Sequence, residues 1–288
     1  MDITQKLNLI DENTWIISDT HLGHKNILEF EPCRLTQMRI DGYYADEHDQ
    51  WIIDNWNTTV KPEDTVLHLG DFAFKPGYYT KEFEAYFEEK YKNISVKELK
   101  QRLKLTKPKT LKEIGEFLIN EEPSKGMQKE QFKSLIDPYV QENEFYIRYK
   151  DLLNGTIIMV LGNHDPKPYD NKLNGIEVID GFYYTSGPNG ELLSKVHNPD
   201  SMFSGFIKEI KGKKYLFSHY PVYDSDEWDR KNKMIAPRIK VLETIFMANQ
   251  CDANVHGHIH SNTSAFAYSI NACFEHIGFK PVKLNDLL

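Results

Sequence analysis

No apolar run in this 288-residue chain approaches the ~20 residues a helix needs to cross a bilayer, so no membrane span and no membrane partner are expected. Cysteine is scarce. Cys33, Cys251 and Cys273 are odd in number and widely spaced, which excludes a disulfide framework or a cysteine-ligated zinc and fits reduced thiols acting as small core residues. The opening Met1-Asp2-Ile3-Thr4-Gln5-Lys6 carries an acid and lacks the apolar stretch of a secretory signal, so a cytoplasmic location is expected. Repeats and low-complexity tracts are absent. There is no overall positive charge either: a net charge of −8 and a pI near 5.8 do not describe a protein that coats nucleic acid.

What is present is a globular composition, 40% hydrophobic, 12% aromatic and 27% charged, in a chain long enough for one large core plus an insertion. The charge is segregated. Lys90 to Lys112 holds nine basic residues against the single acid Glu98, a local charge of +8 that leaves −16 elsewhere.

Short, continuous, β-branched runs recur along the chain and read as strands buried on both faces, as in a mixed α/β sheet. Thr14–Ser18 runs into Asp19-Thr20-His21, Thr65–Leu69 into Gly70-Asp71, and Thr156–Leu161 into Gly162-Asn163-His164-Asp165. Tyr215–Phe217 delivers Ser218-His219, and Ala253–Val255 leads to His256-Gly257-His258-Ile259-His260. Loops leaving such strands are where α/β proteins place ligands. Asp19 and His21, two apart, would share a cation if the chain stays extended there, because alternate residues lie on one side.

Between the strands, Ala45–Val60, Tyr139–Leu153 and Pro237–Asn249 read as helices, the last with proline near its start. Residues 75–138 change character. Ser95-x-x-Glu98 and Thr110-x-x-Glu113 have the form of capping boxes, so a partly basic helical insertion is expected there, within a core formed by 1–74 and 139–288. Gly187-Pro188-Asn189-Gly190 and Lys211-Gly212 read as turns of a β-rich second half. Phe72, Ala73 and Phe74 read as packing residues, His68 as a satisfied sheet histidine, and His256 as a strand histidine or a support for the site.

Carboxylate, imidazole and amide oxygen without thiolate form a donor set suited to manganese, iron, cobalt, nickel or zinc, and seven such groups exceed what one ion takes. The ordered set D-x-H, G-D, G-N-H-D, a lone histidine and G-H-x-H resembles the calcineurin-like metallophosphoesterase superfamily. The phrases Ser18–Asn26 and Phe217–Pro221 look most like its small bacterial and phage-type members. The resemblance covers the core on both sides of residues 75–138 and implies a four-layer αββα sandwich of two mixed sheets.

It also implies two divalent ions, manganese first, with Asp19, His21 and His260 on one, Asn163, His219 and His258 on the other, and Asp71 bridging. A hydroxide held between the ions would attack phosphorus in line. His164 would donate a proton to the leaving oxygen or stabilise its charge, Asp165 would orient His164 or cap the loop, and His24 would contact substrate. Phe74 and Lys75 stand where phosphoprotein phosphatases carry aspartate and arginine, which disfavours protein phosphatase activity. The implied function is a phosphodiesterase on nucleotide or nucleic-acid-type esters. A phosphomonoesterase on a nucleotide or sugar phosphate and a non-catalytic scaffold are the alternatives.

Overall fold

Two β-sheets share one apolar layer, and the polar segments singled out above leave the ends of their strands. The computed structural model describes residues 1–24, 26–74, 77–79, 89, 92–103, 146–165, 173, 175–186, 191–196, 204–223, 231–233 and 235–288. The chain divides into two compact units, Met1–Pro76 with Leu152–Leu288 and Gly77–Asp151.

In chain order the described strands are β1 (Trp15–Ile17), β2 (Thr65–His68), β3 (Gly77–Tyr79), β4 (Tyr146–Arg148), β5 (Thr156–Val160), β6 (Glu177–Ile179), β7 (Phe182–Ser186), β8 (Glu191–Val196), β9 (Gly205–Ile210), β10 (Lys213–Ser218), β11 (Ala253–His256), β12 (Ser269–Asn271) and β13 (Val282–Lys283). The described helices are α1 (Ile3–Asn8), α2 (Ile27–Phe30), α3 (Pro32–Ile40), α4 (His48–Asn57), α5 (Val96–Leu103), α6 (Ala236–Ala248) and α7 (Leu284–Leu287). None of them is long and apolar enough to cross a membrane.

In the first unit one sheet runs β13-β1-β2-β5-β6, with β1, β2, β5 and β6 parallel and β13 antiparallel at the edge. The other runs β12-β11-β10-β9-β7-β8 and mixes both senses. Ile16, Leu67, Ile158 and Val160 of the first sheet join Phe206, Tyr215, Phe217 and Val255 of the second in one buried cluster, so the sheets pack face to face. The outer faces carry helices. His68, next to Leu67, turns its ring to Trp56 of α4, and Ile207 and Leu216 pack against Ile239, Leu242 and Phe246 of α6. This is the α/β/β/α sandwich of two mixed sheets that the sequence led us to expect.

Local chemistry explains the elements. In α4 Trp51, Ile52 and Trp56 recur at helical spacing and are buried, while the Trp51 and Trp56 indole N–H groups donate to Asp41 and to the Asn154 carbonyl. Proline lies in the first turn of α6. Lys211 (φ 52°) and Gly212 (φ 76°) join β9 to β10 as a two-residue turn, both left-handed, which matches the twist of the hairpin.

In the second unit β3 and β4 form an antiparallel pair, and the Ser95 hydroxyl caps α5 by accepting the Glu98 N–H at 3.1 Å. The helix expected over Tyr139–Leu153 is not what its described part forms: Tyr146–Arg148 is a strand, followed by a 3-10 turn at Tyr149–Leu152. Its ladder partner is Gly77–Tyr79, and a Cβ at Gly77 would overlap the Ile147 carbonyl, so a remote backbone overrides the local helical pattern. This unit ends at Asp151, where the sequence places the end of the insertion at residue 138. The capping box at Thr110–Glu113 and the turn at Gly187–Gly190 lie outside the described residues.

Candidate metal centre

Each segment that carries a candidate ligand begins where its strand stops. Asp19 and His21 follow β1, Asp71 follows β2, Asn163 to Asp165 follow β5, His219 follows β10, and His258 and His260 follow β11. The chain is not extended at these points. Asp19 (φ 57°), His21 (52°), Asp71 (53°), His258 (72°) and His260 (50°) are all left-handed, a region that non-glycine residues occupy at a penalty of order 1–3 kcal/mol each. Asp19 and His21 are therefore aimed by tight turns rather than by the alternation of an extended strand. Backbone bonds from Asp19 to Gly70, His21 to Asp71 and Leu22 to Phe72 hold the two loops side by side.

The glycines make the close approach possible. A Cβ at Gly162 would overlap Asp71 Oδ1, and one at Gly257 would overlap Ser18 Oγ and Asp19 Oδ2.

The carboxylates sit between imidazoles. Asp71 Oδ2 lies 3.6 Å from His21 Nε2 and 3.5 Å from His219 Nε2, and Asn163 Oδ1 lies 3.0 Å from His219 Nε2. Donor atoms of Asp19, His21 and His260 all fall within 4.8 Å of one another, as do those of Asp19, Asp71 and His219. His258 meets the group through its backbone N–H, which donates to Asp19 Oδ2 at 3.0 Å, and its ring lies 5.1 Å from that of His219.

Asp19 has the most divided surroundings of the group. Its Oδ2 accepts from Ser18 Oγ, the His258 N–H and Cys273 Sγ, whereas Oδ1 is buried without a hydrogen bond, 3.8 Å from both His21 Nε2 and His260 Nε2. Both His21 nitrogens are likewise buried and unbonded. Buried polar atoms without partners are rare and destabilising, and this mixed oxygen and nitrogen set fits divalent transition metals.

Electrostatics point the same way. Burial, then the Asp19 charge, pushes Asp71 up to about 7, and burial pulls His21 down to about 3. Burial works against ionisation of Asp19 too, but the nearby imidazoles of His219, His260 and His21 outweigh it and hold the carboxyl well below its usual range. Two buried carboxylates this close are compensated far better by cations than by protons.

The supporting residues divide the labour. Asp165 is buried, and its oxygens accept from the backbone N–H groups of Asp71 (2.7 Å), Gly162 (2.7 Å) and Phe72 (3.0 Å). These bonds fit the loop-capping role of the two expected for it. Burial and the neighbouring Asp71 push it up to about 7. His164 is exposed; its backbone N–H donates to Asp71 Oδ1, and its ring lies 5.5 Å from that of His21. His24 lies 5.4 Å from the same ring.

His68 bridges the first two loops. Its Nδ1 accepts the Gly70 N–H, so its Nε2 donates to Thr20 Oγ1, whose hydroxyl donates to the Phe72 carbonyl. His256 of β11 pairs with Ser269 Oγ of the neighbouring β12.

Sequence reasoning missed Arg34 and Glu275. Arg34, fully buried on α3, donates to the carbonyls of Asp19 (2.6 Å) and Thr20 (3.0 Å) and to Glu275 Oε1 (2.7 Å). Glu275 Oε1 in turn lies 3.1 Å from His260 Nδ1. Burial lowers the His260 pKa, but the Glu275 hydrogen bond and the Asp19 and Glu275 charges overcome it and carry the ring up to about 9. No short motif announces either residue, because each is a single charged position in an otherwise ordinary segment.

Comparison with known proteins gives three likenesses. Residues 126–262 match the profile of the calcineurin-like phosphoesterase family, a span that contains Asn163, His164, His219, His258 and His260. A stretch of 61 residues, 21% of the chain, is 36% identical to the Gene 66 protein of Mycobacterium phage L5 and spans 26% of that protein. Among solved structures, a protein of unknown function from Aquifex aeolicus aligns over 93% of this chain and 94% of its own, with 23% identity and a TM-score of 0.47.

Proposed function

We propose that this chain, whose residues 126–262 match the calcineurin-like phosphoesterase family, is a metallophosphoesterase, and that it acts as a phosphodiesterase cleaving nucleotide or nucleic-acid-type phosphate esters with two divalent ions, manganese foremost, in the cytoplasm. The observation that carries this reading is the divided environment of Asp19, one oxygen saturated with donors and the other buried, unbonded and facing two imidazoles.

Asp19, His21 and His260 would hold one ion, and Asn163, His219 and His258 the other, with Asp71 between them. Such ions supply Lewis acidity toward phosphoryl oxygens and acidify water. The protein's own groups do the rest. Asp165 fixes the two glycine loops, and Arg34 with Glu275 fixes the Asp19 loop and the His260 ring. His164, exposed beside the ligand cluster, presents its imidazole N–H to the leaving oxygen, and His24 contacts the substrate next to it.

Rates on bis-p-nitrophenyl phosphate and p-nitrophenyl phosphate with manganese test the proposal. The diester is expected to turn over faster. A faster monoester would replace this reading with a phosphomonoesterase, and manganese binding without cleavage of either would leave a scaffold. His164→Ala should lower kcat by about 10²–10⁴ with the metal content retained; full activity would remove His164 from the mechanism.

A further inference from the structure

Beside the candidate centre the protein exposes aromatic rings that packing does not explain. Phe72 and Ala73 are buried as the sequence leads one to expect, but Phe74 is 52% exposed and Phe30, at the end of α2, is 66% exposed. Both neighbour His24. The His24 ring lies flat against Phe74, with centroids 4.6 Å apart and planes 12° apart, and 6.0 Å from Phe30. His164 completes the group at 6.1 Å from Phe74 and 6.5 Å from His24. A continuous series of rings thus leads from the candidate ligand His21, through His24 and His164, to water.

A phenylalanine left in water forgoes the favourable burial of its ring. Phosphate recognition by cations needs no aromatic surface, so these rings answer to another part of the substrate. We propose that Phe74, Phe30 and His24 form a stacking shelf for a nucleobase on the leaving-group side of the scissile phosphate. The substrate class is then a nucleotide diester or a nucleic-acid end, rather than a phosphosugar or a lipid headgroup.

This rests on the phosphoesterase reading of the adjoining centre, and the side is fixed by His164, which that reading places at the leaving oxygen. Stacking on an aromatic ring tolerates any base, because every base has a π-face. His24 backs Phe74 from one side, so little ring freedom is lost when a base covers the other. The two phenyl rings offer no hydrogen-bonding atoms, so the shelf distinguishes base from no base and not one base from another.

The test is binding rather than turnover. Manganese-loaded protein is titrated calorimetrically with the hydrolysis-resistant 5′-phosphonates of adenosine and of ribose, which differ only in the base. The wild type should bind the adenosine compound about tenfold more tightly, the equivalent of about 1.4 kcal/mol, within the range for one stacked base. Phe74→Ala should bring the ratio of the two affinities close to one, Phe74→Trp should restore it, and Phe30→Ala should reduce it in part.

Thermal melting of each variant separates loss of the shelf from loss of the fold, and if Phe74→Ala does not fold, Phe30→Ala carries the test. Equal affinities in the wild type, or a ratio unmoved in a folded Phe74→Ala, would overturn the proposal. A protein that prefers the adenosine compound yet cleaves no ester keeps the shelf and loses the phosphodiesterase reading; an active enzyme indifferent to the base loses the shelf alone.

Discussion

Glu275 meets His260 Nδ1 and Arg34 with the same oxygen, which leaves His260 Nε2 as the nitrogen facing Asp19. A carboxylate behind a ligating imidazole fixes its tautomer and raises its basicity. We expect Glu275→Gln to weaken manganese binding about 10–100-fold while unfolding stays cooperative, as measured by metal titration and thermal melting.

His68 makes a second prediction at this scale. Burial pulls its pKa down from 6.5 to about 3, and its Nδ1 must stay unprotonated to accept the Gly70 N–H. The unfolded chain therefore binds a proton that the folded one refuses. The stability contributed by neutral His68 is present above pH 6.5 and is lost as pH falls toward 3. Replacing it, as in His68→Gln, should flatten the fall in unfolding free energy across that window relative to the wild type; parallel profiles would show that His68 does not titrate this way.

At the scale of elements, the glycines separate strain from collision. Gly212 tips the β9–β10 hairpin at φ 76°, with nothing within 4 Å of where a Cβ would stand. Gly212→Ala should cost about 1 kcal/mol in urea unfolding and leave turnover alone. Gly162 is packed against the Asp71 carboxylate, so Gly162→Ala should displace that loop and reduce metal content, which elemental analysis reads directly.

The same elements show what a sequence can reveal. β1, β2, β5, β10 and β11 were legible because a strand buried on both faces must be apolar throughout, and the polar residues that end each run stand out against it. The candidate ligands stood out with them, but not the left-handed turns that aim five of them, since the sequence names the residue and not its φ. Arg34 and Glu275, 241 positions apart, carry no local signature. Nor did Tyr146–Arg148, whose strand exists because of a partner at Gly77–Tyr79.

For the whole molecule, the candidate donors come from both sheets: Asp19, His21, Asp71 and Asn163 from the five-stranded one, His219, His258 and His260 from the six-stranded one. A cation held by both would join them. Ligand that binds only the folded state stabilises by mass action, about 2.7 kcal/mol at a hundredfold excess over Kd. Chelator treatment should therefore lower Tm, and the loss should be recovered in proportion to the logarithm of added manganese; a Tm indifferent to manganese would speak against occupancy in the folded state.

The distance along the chain between partners has its own consequence. Asp19 waits 239 residues for the His258 N–H and 254 for the Cys273 thiol, while β13 closes the open edge of β1 later still. On the ribosome, the first loop emerges long before anything can complete it. A nascent chain arrested before residue 258 would carry the amino-terminal candidate donors with their backbone unsupported, so an ion could be taken up at this place only once residues 258 to 283 have been made.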